Sequence, residues 1–328
     1  MAKALDRLVI KLAAQALRGG PTPPGRQDEA IRLLQAPDFF CDFAAVPAEL
    51  SFTADRDFHF VSRVCTPWSV NNTVSGRWLR CGADWQARPV FILLHGWNSE
   101  LMYRFLFPGW AGRLHQAGVN VLMLELPYHG RRRPSGPGAV TDFISGDLAR
   151  MIEATRQAVA DVRTLIGWAR AQGCPSIGLW GVSLGGWLAG LTACADERVA
   201  HLVLMEPAAR MDRVLTELEF AAPVRRALEQ TPLDLGRLNL ATLQPRLSPD
   251  NILIVAGRHD LFTSLDTAQE LRGRWGQPEL CVFDHGHISL LLVRPVITCI
   301  LDWIVAKTAS RAAHPAGVAD GSVVRGMP

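Results

Sequence analysis

The chain has 328 residues, of which 48% are hydrophobic and 20% are charged, and this composition excludes a wholly disordered protein. Its 34 basic residues nearly balance 31 acidic ones, so the net charge of +3 does not indicate a nucleic-acid partner. Because no apolar run approaches the roughly 20 residues that a membrane span needs, we expect no stable insertion into a membrane. The composition does not predict an oligomeric state.

The two ends of the chain predict segments outside the main domain. Residues 1–47 are predicted to form a helical extension. Within this segment, apolar residues recur at helical spacing: Leu5, Leu8, Val9, Leu12, Ala16 and Leu17. Lys11 interrupts this stretch and no signal-cleavage site follows it, so we interpret it as an amphipathic helix packed on the domain of a cytoplasmic protein. Residues 308–328 are rich in Ala and Gly without apolar periodicity, which predicts a flexible tail.

Short apolar runs predict the strands of a sheet. Residues 58–64 and 78–79 are β-like runs interrupted by Pro67 and Asn71, which is typical of an antiparallel edge. Six later runs lack alternation, as parallel strands do when both of their faces are covered. These six runs span residues 90–94, 119–124, 177–180, 199–205, 252–256 and 280–283.

Helical patterns separate most of these six runs. The clearest pattern spans residues 147–170, with Asp147 in its first turn at the positive end of the helix dipole. Alternation of strands and helices predicts an α/β fold with a doubly wound, mostly parallel sheet. The alternation lapses over residues 208–248, which predicts a small helical cap inserted into a domain of residues 48–307.

The motif Gly181-Val182-Ser183-Leu184-Gly185 joins an apolar run to a helical pattern. A serine on such a sharp turn adopts a strained backbone, and small neighbours two positions away let the chain fold back. The turn therefore predicts a Ser183 hydroxyl lifted above the sheet edge as a nucleophile. It also places the Leu184 N–H at the start of a helix, where it can stabilise negative charge.

Acidic residues and histidines follow other predicted strands, and the carboxyl ends of parallel strands meet at one edge of a sheet. Glu206 follows the fourth run and Asp260 follows the fifth, so either could be the acid that orients a histidine. His285 and His287 both follow the last run, and either could be the base. His-x-His is also a metal-ligand spacing, but the Asp-His that continues a binuclear metal pattern is missing, so we expect no metal.

Three further residues are predicted to line a substrate pocket at this edge: Trp97, His129 and Trp187. Residues 131–133, which are all arginine, follow His129 and could attract an acidic group. Because charge runs usually stay in water, we interpret these three arginines as part of a solvated loop.

In order, these turns resemble those of the α/β-hydrolase superfamily. The resemblance covers residues 90–307 and rests on the His95-Gly96 turn, the elbow around Ser183, Asp260 after the fifth run and Gly286-His287 after the last. The order serine, acid, histidine is specific for the superfamily but not for a substrate.

The resemblance implies roles for the remaining alternatives. Asp260 holds the usual position of the acid, whereas Glu206 would match a minority arrangement, and His287 matches the superfamily's Gly-His turn. The Trp97 N–H is implied to be the second oxyanion-hole donor beside the Leu184 N–H. The chain has His-Gly-Trp-Asn at that turn, where some lipases and esterases have HGGG.

As a function, the resemblance implies a serine hydrolase that cleaves a carboxylic ester of a small molecule through an acyl-enzyme, without a cofactor. Acyl transfer and the cleavage of a thioester or amide stay open, because the same triad performs them. A non-catalytic ligand-binding protein on a hydrolase fold is a further alternative, against which the presence of all three triad residues argues. The sequence does not identify the acyl or alcohol group.

Overall fold

A computed structural model describes residues 2–16, 26–36, 39–40, 49–53, 56–136, 142–231 and 233–312. Its strands are β1 (Ser51–Phe52), β2 (Asp57–Val61), β3 (Thr73–Leu79), β4 (Val90–Leu94), β5 (Asn120–Leu124), β6 (Ile177–Val182), β7 (His201–Met205), β8 (Ile252–Gly257) and β9 (Glu279–Phe283). Within these described residues the strands form one nine-stranded sheet in the order β1-β2-β3-β5-β4-β6-β7-β8-β9.

The larger part of this sheet is parallel. Strands β4 to β9 pair in parallel, and β4 lies between β5 and β6 so that Leu94 is in register with both Leu124 and Gly181. Strands β1, β2 and β3 pair antiparallel, and β3 joins the parallel part through an antiparallel pairing with β5. The predicted mostly parallel sheet with an antiparallel edge is therefore confirmed.

Helices connect most of the strands. They are α1 (Ala2–Ala16), α2 (Gln27–Gln35), α3 (Ser69–Asn72), α4 (Phe107–Gln116), α5 (Leu148–Ala171), α6 (Leu184–Ala195), α7 (Met211–Glu217), α8 (Ala222–Gln230), α9 (Leu265–Arg274), α10 (His287–Leu290) and α11 (Arg294–Ala312). A π-helical stretch, Met102–Leu106, precedes α4, and short 3-10 turns lie at Trp85–Ala87, Gly130–Arg132, Glu219–Ala221, Leu235–Leu238, Leu240–Thr242 and Pro249–Asn251. None of the helices described has the length and apolar character to cross a membrane.

The core has two layers, one on each face of the sheet. Strand β4 is buried along its whole length, and its alternate residues enter opposite layers. Ile92 and Leu94 pack in the layer that contains α5 and α6, whereas Phe91 and Leu93 pack in the layer that contains α4 and α11. Both faces of the sheet are thus covered by helices, which confirms the doubly wound prediction and explains why the central strands lack alternation.

Two predicted boundaries differ in detail. Asp147 does not lie in the first turn of α5 but caps it, because its carboxylate accepts the Arg150 N–H at 3.2 Å.

Residue 308 does not begin a tail: α11 continues to Ala312, and the Thr308 hydroxyl donates to the Ile304 carbonyl at 2.9 Å. Alanine-rich sequence extends a helix readily even without apolar periodicity. The rest of the predicted tail, residues 313–328, lies outside the described residues.

The predicted solvated loop at residues 131–133 is wrong for Arg132. The Arg132 side chain is fully buried and forms an ion pair with Asp161 at 2.9 Å, and its guanidinium also donates to the Asn71 and Glu125 carbonyls. A buried arginine is tolerated when its charge is paired and its N–H groups have acceptors. Arg132 therefore fixes this loop onto α5, while the Arg131 side chain is exposed as predicted.

Candidate active site

Ser183 stands on a sharp turn between β6 and α6. Its φ of +53° and ψ of −114° lie outside the usual regions for a residue with a side chain. A Cβ added at Gly181 would lie 2.1 Å from the Gly185 carbonyl oxygen, and one added at Gly185 would lie 2.2 Å from that of Leu94. Only glycine fits at both positions, so the motif permits the close approach that places Ser183 above the sheet edge.

A row of hydrogen bonds runs from Ser183 through His287 to Asp260. His287 Nε2 lies 2.9 Å from Ser183 Oγ, and His287 Nδ1 lies 2.7 Å from Asp260 Oδ2. His287 and Asp260 are each 5% exposed. With the Nδ1 proton directed at the carboxylate, Nε2 is the nitrogen that can accept the serine proton. The structure thus brings together the three residues that the sequence singled out.

The Asp260 carboxylate is held by its own turn. Its Oδ1 accepts the backbone N–H groups of Phe262 at 2.7 Å and Thr263 at 2.8 Å, and its Oδ2 accepts the Thr263 hydroxyl at 2.7 Å. The Phe262 ring stacks on the His287 ring with centroids 4.7 Å apart. These contacts fix both the carboxylate and the imidazole plane before a substrate arrives.

Glu206, the alternative acid, lies close by but in a different state. Its Oε2 is 3.8 Å from His287 Nδ1, and neither carboxyl oxygen has a hydrogen-bond partner among the described residues. Complete burial, followed by the negative charges of Asp260 and Asp6, raises the pKa of Glu206 well above its usual range. Burial therefore favours the protonated form of Glu206, whereas Asp260 makes the hydrogen bond with the histidine.

His285, the alternative base, lies outside the hydrogen-bonded row. Its backbone N–H donates to the Phe283 carbonyl, and its own carbonyl accepts the His259 N–H, both at 2.9 Å. These bonds hold the loop that leads from β9 to His287.

Glu206, Asp260 and His287 also form the kind of cluster that could hold a metal ion, since one ligand atom of each lies within 4.8 Å of the others. Burial favours the protonated form of Glu206, which is a poor metal ligand, and the His287 Nδ1 lone pair is blocked by the proton donated to Asp260. The donor set fits a hydrogen-bonded acid and base better than it fits a metal.

The two predicted oxyanion donors flank Ser183. Leu184 is the first residue of α6, where an N–H has no acceptor within the helix. Trp97 follows Gly96, and a Cβ added at Gly96 would lie 3.6 Å from the Cβ of Ser183, so this loop passes directly beside the serine. The placement is compatible with two N–H donors at one oxygen.

A cavity of about 370 Å³ opens at Ser183. Trp97 lines it and stacks on Phe220 of the segment between β7 and β8, with ring centroids 5.0 Å apart. Most of the other lining residues are apolar: Val9, Leu12, Ala13, Met102, Ile144, Met211, Val214, Leu218, Phe262, Ile288 and Leu291. Volume and character are typical of a site for a small apolar ligand.

The prediction that His129 and Trp187 line the substrate pocket is wrong. His129 lies behind the Trp97 loop, where its Nδ1–H donates to the Pro127 carbonyl at 2.8 Å and its Nε2 accepts the Asn98 N–H at 3.0 Å. Burial lowers the pKa of His129 well below its usual range, so the ring is neutral and supports the loop. Trp187 is buried in α6, and its indole N–H donates to the Leu238 carbonyl at 2.6 Å. The sequence placed both residues near the correct edge but could not show on which side of the wall their rings lie.

The contribution of α1 to the site was not predicted from the sequence. Val9, Leu12 and Ala13 line the cavity, and the buried carboxylate of Asp6 contacts the turns that carry Asp260 and His287. A signal was present, because Asp6 lies at helical spacing on the same apolar face as Val9 and Ala13. An acid in such a position needs a buried partner, but the sequence does not say which.

The chain belongs to the alpha/beta hydrolase family, whose profile matches residues 91–326. This membership supports a hydrolase, in agreement with the resemblance found in the sequence.

Among curated relatives, an uncharacterized protein of Mycobacterium tuberculosis strain H37Rv is 33% identical over 219 residues, covering 64% of this chain and 52% of the relative. The chain thus spans about half the length of this curated relative.

Similar solved structures include two esterases. Acetyl xylan esterase 1 from Thermoanaerobacterium sp. JW/SL YS485 has a TM-score of 0.59 at 18% identity, covering 90% of this chain and 97% of that one. Est1E from Butyrivibrio proteoclasticus, solved with ferulic acid bound, has a TM-score of 0.53 at 13% identity, covering 74% of this chain and 96% of that one. At these identities the likeness shows a shared fold.

The geometry yields a direct comparison of the two acids. We expect Asp260→Asn to lower kcat on the order of 10⁴-fold, because an amide favours the wrong histidine tautomer and carries no charge. We expect Glu206→Gln to keep kcat within about tenfold, because Gln is uncharged, like the protonated form of Glu206 that burial favours. Steady-state ester hydrolysis measures both, with His287→Ala and His285→Ala as the matching pair for the base. An inactive Glu206→Gln variant beside an active Asp260→Asn variant would reverse the assignment.

Glu206 also makes stability depend on pH. The native state retains a proton that the unfolded chain loses above the ordinary glutamate value of 4.5, so this residue weakens the fold as the pH rises from there. We expect Glu206→Gln to gain stability relative to the original protein between pH 5 and pH 8, by up to about 1.4 kcal/mol per pH unit. Urea unfolding across this range measures the difference, and Glu229→Gln, an exposed change on α8, serves as the control. Parallel pH curves for the original protein and Glu206→Gln would contradict a raised pKa.

Proposed function

We propose that this protein is a serine esterase that hydrolyses a carboxylic ester with an uncharged, apolar acyl group. The observation that carries the proposal is the row of hydrogen bonds from Ser183 through His287 to Asp260, which opens onto an apolar cavity. Membership of a hydrolase family supports the same conclusion at the level of reaction class.

In the proposed mechanism, Ser183 Oγ attacks the ester carbonyl while His287 Nε2 takes its proton. Asp260 keeps the imidazole in the reactive tautomer and stabilises the positive charge that forms. The N–H groups of Trp97 and Leu184 hold the negative oxygen of the tetrahedral intermediate. Collapse of the intermediate breaks the bond to the alcohol, which leaves with the proton from His287.

Water then resolves the acyl-enzyme by the same steps. His287 takes a proton from water, the resulting hydroxide equivalent attacks the acyl carbonyl, and Ser183 leaves with that proton. Acylation and deacylation both transfer an acyl group without oxidation or reduction, so the proposed reaction requires no cofactor.

The cavity supports the acyl class. Among the described residues that line it, none is Asp, Glu, Lys or Arg, so a charged acyl group would lose its hydration without gaining an ionic partner. The nearby ring of His129 is neutral and behind the wall, and the three arginines of residues 131–133 each have an acidic partner. An apolar acyl chain, in contrast, gains from each methylene that it buries.

The proposal is tested first at the nucleophile. We expect Ser183→Ala to lower the hydrolysis of a p-nitrophenyl ester at least about 10³-fold, because loss of one triad member disables the whole unit. Ser51→Ala, an exposed change in β1, is the matched control and should keep the original rate. Circular dichroism checks that both variants are folded. Activity of Ser183→Ala within tenfold of the original protein would contradict a serine mechanism.

The acyl class is tested with a series of esters of increasing acyl length. We expect kcat/KM to rise by up to about fourfold per methylene until the cavity is filled. Val214→Trp, in α7, should shorten the preferred chain because the indole fills the acyl space, while Val305→Trp, in α11, should leave the profile unchanged. A length profile that is identical in Val214→Trp and the original protein would place the acyl group elsewhere.

A further inference from the structure

We propose that Asp6 of the N-terminal helix is a positioning residue that holds the turns of Asp260 and His287 in their reactive arrangement. This inference rests on the proposed function, because it assigns a role within the same reaction. Asp6 lies in α1, outside residues 91–326 that the family profile matches. Asp6 therefore supports the site from a part of this chain that the family profile does not cover.

The Asp6 carboxylate is fully buried and accepts three backbone N–H groups. Its Oδ2 accepts from Leu261 at 3.1 Å and from His287 at 2.9 Å, and its Oδ1 accepts from Ile288 at 3.1 Å. Leu261 directly follows Asp260, and Ile288 directly follows His287. One side chain thus joins the turn of the acid to the turn of the base, although Leu261 lies 255 positions away in sequence and Ile288 lies 282.

The turn at His287 has a specific need for this carboxylate. His287 and Ile288 open α10, and the first N–H groups of a helix have no acceptor within the helix. The residue before a helix often provides one from its side chain, but here that residue is Gly286, which has none. Asp6 supplies the missing oxygens from another helix, and a charged acceptor makes these bonds stronger than neutral ones.

The charge of Asp6 also reaches the reacting groups. Asp6 Oδ2 lies 2.9 Å from the backbone nitrogen of His287, so the Asp6 carboxylate is within electrostatic range of the imidazole of the same residue. A negative charge at that place favours the imidazolium that forms when His287 takes the serine proton. Asp6 therefore acts by holding the His287 turn in place and by its own negative charge, without touching the substrate.

The positioning role of Asp6 differs from the role of α1 as part of the cavity wall, and the two should affect different kinetic parameters. The helix packs against α10 and the turn Glu219–Ala221, and Val9, Leu12 and Ala13 form cavity wall. A change that only loosened the wall would alter KM for long acyl chains. Loss of the Asp6 carboxylate displaces His287 itself, and a displacement of about 1 Å between reacting groups costs on the order of 10²-fold in rate. The loss should therefore fall on kcat, even for an acetyl ester.

The experiment compares Asp6→Ala and Asp6→Asn with two controls. We expect Asp6→Ala to lower kcat for p-nitrophenyl acetate on the order of 10²-fold, with KM within about threefold of the original. Asp6→Asn should be intermediate, because its amide oxygen can accept while its NH₂ group opposes the backbone donors. Leu5→Ala shortens a half-buried side chain of the same helix without removing the carboxylate, and Asp28→Asn removes an exposed acid from α2. Both should retain kcat for the acetyl ester within about threefold.

A second readout does not depend on turnover. The proton shared by His287 Nδ1 and Asp260 should give a downfield ¹H NMR resonance that disappears in Asp260→Asn. We expect this resonance to shift or broaden in Asp6→Asn and to stay in place in Leu5→Ala. If the original protein hydrolyses no ester, the proposed function fails, whereas the resonance still tests the positioning by Asp6.

The proposal is overturned if both Asp6 variants keep kcat within about threefold of Leu5→Ala, or if the resonance is the same in Asp6→Asn as in the original protein. Thermal unfolding monitors the folded state throughout. Should Asp6→Ala fail to fold, Asp6→Asn decides the outcome by the same two criteria.

Discussion

The hydrogen bond between His287 Nε2 and Ser183 Oγ forms only because the ends of two separated strands are brought together. The two residues follow β9 and β6, which are three strands apart, or about 14 Å at the usual spacing of a sheet. Their reacting atoms are nevertheless 2.9 Å apart. The turn after β9 must therefore reach back over two strands, and a reach of that length needs support at both ends. The Asp260 turn supplies support from β8, and Asp6 supplies it from α1.

Hydrogen bonding decides how three buried carboxyl groups can share this small space. Asp260 and Asp6 each accept several donors, whereas Glu206 has no partner on either oxygen in the described structure. Donors aimed at a carboxylate stabilise its charge, whereas burial without them favours the protonated form. Burial raises the pKa of Glu206, and protonation reduces the repulsion that a third charge would add. Two acids in similar places beside one histidine thus differ in role because their donors differ.

Much of the fold and the order of the site could be predicted from the sequence, because these features are local. The apolar runs, the elbow around Ser183 and the turn at His287 are each set by a few adjacent residues. Features that depend on distant parts of the chain could not be predicted. Arg132 is buried because Asp161 of α5 faces it, His129 supports the cavity wall instead of lining it, and Asp6 finds its donors more than 250 residues away. Spacing indicates the sheet edge that a residue belongs to, but only packing decides which side of a wall its side chain occupies.

The proposed mechanism passes through an acyl-enzyme on Ser183, and this intermediate can be trapped. Acid quenching during the first turnovers of a p-nitrophenyl octanoate reaction, followed by peptide mass spectrometry, locates the acyl group. We expect one octanoyl group on the peptide that contains Ser183, and none on that peptide in Ser183→Ala. An acyl group on a different residue, or ester hydrolysis without any acylated peptide while deacylation is the slow step, would contradict it.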